Sequence, residues 1–140
     1  MKRILAVDLG TVRTGVAVAS TAVAQPLDVI EETDDERIVD RLADIARSEE
    51  ATEIVFGLPV QLDGRDGPAA TRARAIAARL AGKLGVPVHL WDERLTTAQA
   101  ERDMVGSGVR RKKRRASIDK IAATVLLQSY LDAQTARGRS

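Results

Sequence analysis

Apolar residues along this chain fall into short blocks whose period changes from block to block, and the changes mark out the elements. Ile4-Leu5-Ala6-Val7 is a continuous apolar run ending on Asp8, and residues 14–20 form a second run rich in valine and alanine. Leu9-Gly10-Thr11-Val12-Arg13 lies between them; Gly10 and Gly15 suit a tight connection, so the pattern predicts two hairpin-paired strands. A third strand is predicted over 24–30, at a sheet edge, because Pro26 lacks the N–H an inner strand needs. Ile38, Leu42, Ile45 and Ala46 then recur at helical spacing behind a Thr33/Glu36 capping box, predicting a helix over 34–48. Residues 53–58 read as a buried strand ended by Gly57-Leu58-Pro59, and Asp63-Gly64-Arg65-Asp66-Gly67 has the composition of a mobile turn. Residues 69–84 read as an alanine-rich helix stopped by Gly85, and 86–91 as a last apolar strand running into Asp92-Glu93-Arg94. Thr96 with Gln99 opens a further predicted helix that Gly106-Ser107-Gly108 closes. Ser117 is placed to cap a final helix whose apolar face is Ile118, Ile121, Ala122, Val125 and Leu126.

Three strands, a helix, a strand, a helix, a strand and two helices make a meander followed by crossover units. That order predicts an α/β fold with one five-stranded mixed sheet, antiparallel first and parallel after, covered by helices on both faces. The chain has 140 residues, 44% hydrophobic and 30% charged, which fits one domain over 1–140 with a short tail from about 134.

Charge changes the picture more than composition does. The formal net charge is only +2. Yet residues 110–140 carry nine basic and two acidic residues, a formal +7, while the first 109 carry 13 basic and 18 acidic, a formal −5. The basic residues concentrate in Arg110, Arg111, Lys112, Lys113, Arg114 and Arg115. An acidic body with a basic C-terminal quarter suggests a polyanion approaching from one side; the alternative is a solvated loop beside a helix.

The residue inventory excludes whole classes of chemistry. There is no cysteine, and the one histidine, His89, cannot build a histidine metal site. Any metal must sit among oxygen ligands, which favours Mg²⁺ or Mn²⁺. Phe56, Trp91 and Tyr130 are too few for a base-stacking platform, so a nucleic acid would be held by its backbone and shape. Asp8 interrupts the N-terminal apolar run too early for a signal peptide, and no stretch is long enough to span a bilayer. A cytoplasmic protein with no membrane partner is expected.

Three acidic positions stand at element ends: Asp8 after the first strand, Asp92 and Glu93 after the last, and Asp119 in the first turn of the final predicted helix. The crevice beyond the carboxyl ends of the strands is the usual site in such sheets. Asp92 and Glu93 point to opposite sides of a regular strand, so one is a ligand and the other a structural partner. Each acid also has a plain structural reading, Asp8 as a turn acid bonding nearby amides and Asp119 as an acid favoured by the helix dipole. Converging, they suit a hard-cation site for phosphodiester hydrolysis, where histidine is not required.

Asp8-Leu9-Gly10-Thr11-Val12-Arg13-Thr14-Gly15-Val16-Ala17, Gly57-Leu58-Pro59, Asp92-Glu93-Arg94-Leu95-Thr96-Thr97 and Asp119-Lys120-Ile121-Ala122-Ala123 with Leu127-Gln128-Ser129-Tyr130-Leu131 closely resemble the YqgF family, over nearly the whole chain. The resemblance implies a ribonuclease H-like fold, a Holliday-junction-resolvase-like superfamily and trimming of the 5′ end of precursor 16S ribosomal RNA. It also implies Asp8, Glu93 and Asp119 as the catalytic metal ligands, with Asp92 as a possible substitute for Glu93. Many nucleases of that superfamily place the second carboxylate at the end of the fourth strand, where this chain has Gly57-Leu58-Pro59. Gly57 is then a point of close substrate approach or a plain strand-to-loop turn. Arg13 and Arg94 flank the acids and either hold phosphate or pair with an acid.

The expected function is a divalent-metal-dependent nuclease acting on precursor ribosomal RNA. The alternatives are a resolvase of branched DNA, which requires a homodimer for paired cuts, and a non-catalytic nucleic-acid-binding module resting on the basic run. A phosphotransferase of the actin and sugar-kinase group, which Asp8-Leu9-Gly10-Thr11 also resembles, needs a second related domain for which 140 residues leave no room.

Overall fold

A computed structural model describes residues 2–95 and 111–138, with side chains given for 2–94 and 121–136. Five strands form one sheet: β1 (Ile4–Leu9), β2 (Arg13–Ala19), β3 (Gln25–Glu31), β4 (Glu53–Leu58) and β5 (Val88–Asp92). Their spatial order is β3-β2-β1-β4-β5, with β1–β2 and β2–β3 antiparallel and β1–β4 and β4–β5 parallel. The mixed sheet expected from the element order is therefore present, with β1 at its centre. The described helices are α1 (Asp35–Ser48), α2 (Pro68–Leu84) and α3 (Arg111–Gly138).

The two faces of the sheet bury different residues. Leu5, Val7, Val16, Val18, Ile30, Ile54 and Phe56 pack with Ile38, Leu42, Ile76 and Leu80 of α1 and α2. Full burial of such a side chain stabilises by about 1.5–3 kcal/mol, so this face carries the larger part of the core. The opposite face is built from Ile4, Ala6, Ala17, Ala19 and Val55 against Ala123, Leu126, Leu127, Tyr130 and Leu131 of α3. Its alanines bury little each, but they let the helix backbone lie close to the sheet.

Element ends follow local chemistry, in places differently from the sequence pattern. The N-cap of α1 is Asp34 rather than Thr33: the Asp34 carboxylate accepts from the Arg37 amide at 3.3 Å, and the Asp34 amide donates to Glu32 at 3.2 Å. Gly85 closes α2 at a φ of 71°, as expected, and Pro68 opens it one residue before the predicted start. β5 begins at Val88, not residue 86, because Pro87 has no N–H to give; its carbonyl instead accepts from the Ile54 amide at 2.9 Å. The turn after β4 has its own bonds, with the Gln61 amide on the Arg65 carbonyl at 2.9 Å and Arg74 on Asp66 at 2.6 Å.

Ser117 does not cap the last helix. α3 is described from Arg111, so Ser117 lies inside it and Arg111 to Arg115 of the basic run are helical. Arg and Lys are good helix formers, whereas a serine cap competes only where the chain has left helical geometry. The helix also continues to Gly138, where a tail from residue 134 was expected, and Gln134 donates to the Tyr130 hydroxyl at 3.0 Å. The helix predicted between Thr96 and Gly106, and Arg110, lie outside the described residues. Among the described residues, no helix is long and apolar enough to cross a membrane.

Candidate active site

Strand alternation and register decide which side chains meet at the carboxyl ends of the parallel strands. Asp8 has the same parity as Ile4 and Ala6, so it lies on the α3 face of β1. Its partner across β2 is Gly15, and on the other side Val7 pairs with Phe56, which sets Asp8 beside Gly57 of β4. Asp8 therefore sits in a row between two glycines, and neither neighbouring strand puts a side chain against it on that face.

Glu93 fills part of that space. It follows β5 directly and opens a 3-10 turn over Glu93–Leu95, on the face shared by Trp91 and His89. A Cβ built on Gly57 would fall 2.5 Å from Glu93 Oε1 and 2.8 Å from its Cγ, so the Glu93 side chain lies directly over the Gly57 backbone. Beyond it, Glu93 reaches Asp8, and the two carboxyl groups share a hydrogen bond. Desolvation by burial, then that hydrogen bond, then repulsion by the neighbouring carboxylate push Asp8 from 3.8 up to about 9. Without metal, Asp8 therefore holds its proton well above the ordinary carboxylate range.

Asp92 takes no part in this contact. It has the opposite parity on β5, accepts from the Arg94 amide at 2.9 Å, and pairs with the Arg94 guanidinium at 2.6 Å. The bond from Arg94 lowers the Asp92 carboxyl below its ordinary value, and Arg94 is raised by the same partner. Of the two adjacent acids, Glu93 faces Asp8 and Asp92 is the structural partner of Arg94. Arg13 likewise has an acid beside it, Glu31 on β3 at 3.6 Å. The structure thus gives both arginines carboxylate neighbours, the second of the two roles open to them.

Asp119 lies in α3, four residues before the buried Ala123 and seven before Leu126. Its side chain, with those of Arg111, Lys112, Lys113, Arg114 and Arg115, lies outside the described part. Among the described residues no three histidines or acids come together as a metal site. The two that meet are oxygen donors at the mouth of the sheet, and a divalent cation can take the place of the proton they share, so the donor set fits a hard cation.

Two features of the site were not read from sequence. Arg72 of α2 donates to the Gly10 carbonyl at 2.7 Å and to Asp35 at 2.9 Å, tying the β1–β2 turn to both helices of that face. Gly10 itself has no room for a side chain, since a Cβ there would meet the Arg13 carbonyl at 2.1 Å. Gly57 is neither a turn residue nor a bare approach for substrate, because Glu93 occupies its face. The available signal was a glycine inside the apolar strand Glu53–Leu58, where it weakens the strand unless something needs its space.

A family model described as "RuvX: Holliday junction resolvase" matches residues 2–133. A protein of Pelotomaculum thermopropionicum is 45% identical over 135 residues, covering 94% of this chain and 88% of its own. One of Myxococcus xanthus is 42% identical over 133 residues, with 94% and 88% covered. Both carry the name "Putative pre-16S rRNA nuclease". Among solved structures, "T. thermophilus RuvC in complex with Holliday junction substrate" superimposes with a TM-score of 0.65 at 16% identity over 97% of each chain. The fowlpox virus Holliday junction resolvase gives 0.58 at 14% identity, covering 94% of this chain and 99% of its own. These likenesses show a ribonuclease H-like fold.

Proposed function

Because the chain belongs to the RuvX family, the YqgF family its motifs resemble, it is a nuclease, and we propose that it uses Asp8, Glu93 and Asp119 to mature precursor 16S ribosomal RNA. The observation that carries the site is the contact between Asp8 and Glu93 across β4, an arrangement that is costly without a cation to share. Asp119 is the third acid of the reading: helical periodicity sets it on one row of α3 with Ala123, Leu126 and Tyr130, the row that packs on the Asp8 face.

Mg²⁺ or Mn²⁺ bound among these acids supplies charge to activate water and to neutralise the phosphate as its ester bond breaks. Asp8 and Glu93 hold the cation after Asp8 gives up its proton, so binding strengthens as pH rises. Arg94 keeps Asp92 turned outward, which leaves the crevice to Glu93.

The basic run delivers the substrate. Five cationic residues, Arg111 to Arg115, lie in α3, the helix that also carries Asp119. A polyanion drawn to them is brought onto the same helix as Asp119. Such a partner is a nucleic acid, recognised by its phosphates.

Precursor ribosomal RNA is favoured by the names of the relatives, and branched DNA by the description of the family model. Cleavage of a precursor 16S leader and of a four-way junction, in Mg²⁺ and in Mn²⁺, separates them, with Asp8→Asn as control. Faster cleavage of the leader, abolished by Asp8→Asn, is the expected result. Paired symmetric cuts in the junction with the leader untouched would replace the RNA reading by the resolvase one and would call for a homodimer.

A further inference from the structure

Gly57 is buried in the middle of the sheet and has no backbone reason to be glycine. The positive φ values among the described glycines belong to Gly64 and Gly85, and Gly57 pairs regularly with Trp91. Any residue fits that backbone, and glycine costs a strand about 0.5–1 kcal/mol relative to alanine. Its identity must answer to the space above it, and that space holds Glu93.

Strand spacing explains why the space matters. Neighbouring strands lie about 4.8 Å apart, so β1 and β5, with β4 between them, are separated by about 10 Å. An acid following β5 can meet one on β1 only by lying across β4, at the level of residue 57. Glutamate has the length to do this, and aspartate is one methylene shorter.

We propose that Gly57 is a positioning residue that opens β4 for Glu93 and so lets its carboxylate reach Asp8. A side chain on Gly57 would start 2.5 Å from the present Glu93 Oε1, so its next atoms enter the volume the Glu93 carboxylate now fills. The inference rests on the reading of Asp8 and Glu93 as acids of the nuclease site.

The test uses the full chain and two kinds of readout. Thermal unfolding in EDTA is compared for wild type, Gly57→Ala, Glu93→Ala and the double variant. Gly57→Ala lowers Tm by about 3–8 °C when Glu93 is present and by no more than about 1 °C when Glu93 is truncated. Equal losses in both backgrounds overturn the proposal. If Gly57→Ala alone does not fold, a folded double variant is the same non-additive result, and an unfolded one overturns it.

The second readout is the Mn²⁺-induced rise in Tm together with cleavage of the leader RNA. Glu93→Ala loses both, and Gly57→Ala with Glu93 in place weakens the Mn²⁺ shift and lowers cleavage at least about tenfold, because the displaced carboxylate no longer meets Asp8. A folded Gly57→Ala variant with the wild-type Mn²⁺ shift and wild-type cleavage overturns the positioning role. Full activity of Glu93→Ala, alongside non-additive Tm values, instead overturns the nuclease role of Glu93 while leaving its dependence on Gly57 in place.

Discussion

The carboxyl groups of Asp8 and Glu93 meet although β4 separates the strands that carry them. Two acids brought together at the mouth of a sheet work against stability unless a proton or a cation lies between them. On the proposed reading, the cation that hydrolysis requires is the group that relieves this cost.

Stability of the metal-free protein therefore depends on pH through Asp8. An acid whose folded pKa stands at about 9, above its ordinary 3.8, contributes its full stabilisation below 3.8 and loses it as pH rises towards 9. In EDTA, Asp8→Asn unfolds at a higher temperature than wild type near pH 8, by roughly 3 °C or more, and the difference shrinks as pH falls towards about 4. A difference that grows on acidification would show that Asp8 is stabilised as the anion.

Mn²⁺ distinguishes the two neighbouring acids. A cation bound at about 100 times its Kd stabilises the fold by about 2.7 kcal/mol. Wild type and Asp92→Asn both gain this in a thermal shift assay, and Glu93→Gln does not. Cleavage follows the same order, with Asp92→Asn within about threefold of wild type and Glu93→Gln down at least about 100-fold. The reverse order would transfer the site role to Asp92.

Salt dependence of binding reports on the start of α3. If Arg110 to Arg115 neutralise six phosphates, log K falls against log salt with a slope of about −4 for single strands or −5 for duplex. Replacing these six residues by glutamine flattens the slope, whereas Asp8→Asn leaves it unchanged. An unchanged slope in the glutamine variant would put the nucleic acid on another surface.

Away from the site, Tyr130 ties α3 to the start of β4. Its hydroxyl donates to the buried Glu53 carboxylate, which also has Lys2 at 3.5 Å and His89 at 3.4 Å, while the rings of His89 and Trp91 flank Tyr130 at 6.0 and 5.6 Å. Tyr130→Phe removes one donor from a buried acid and keeps the packing. Denaturant unfolding then shows a loss of about 1–3 kcal/mol with cleavage by the folded fraction unchanged.

The strands and the first two helices were legible along the chain because each is written in local terms. Ile4 to Val7 and Ile54 to Leu58 are buried on both faces and read as unbroken apolar runs, and α1 shows its period between Ile38 and Ala46. The misreadings were local as well. Thr33 and Asp34 both suit a cap, and only the folded backbone, which sets the Asp34 carboxylate on the Arg37 amide, decides between them; Ser117 looks like a cap because the basic residues before it resemble a loop.

The site divides along the same line. Strand alternation shows that Asp92 and Glu93 face apart, and resemblance points to Glu93, but neither says what lies beneath it. That depends on strand order: β4 must enter between β1 and β5 before Gly57 comes under the Glu93 side chain and Asp8 within its reach. A glycine carries no pattern of its own, and the distance between two acids 85 positions apart is set by which strand lies between them, a property of the folded sheet.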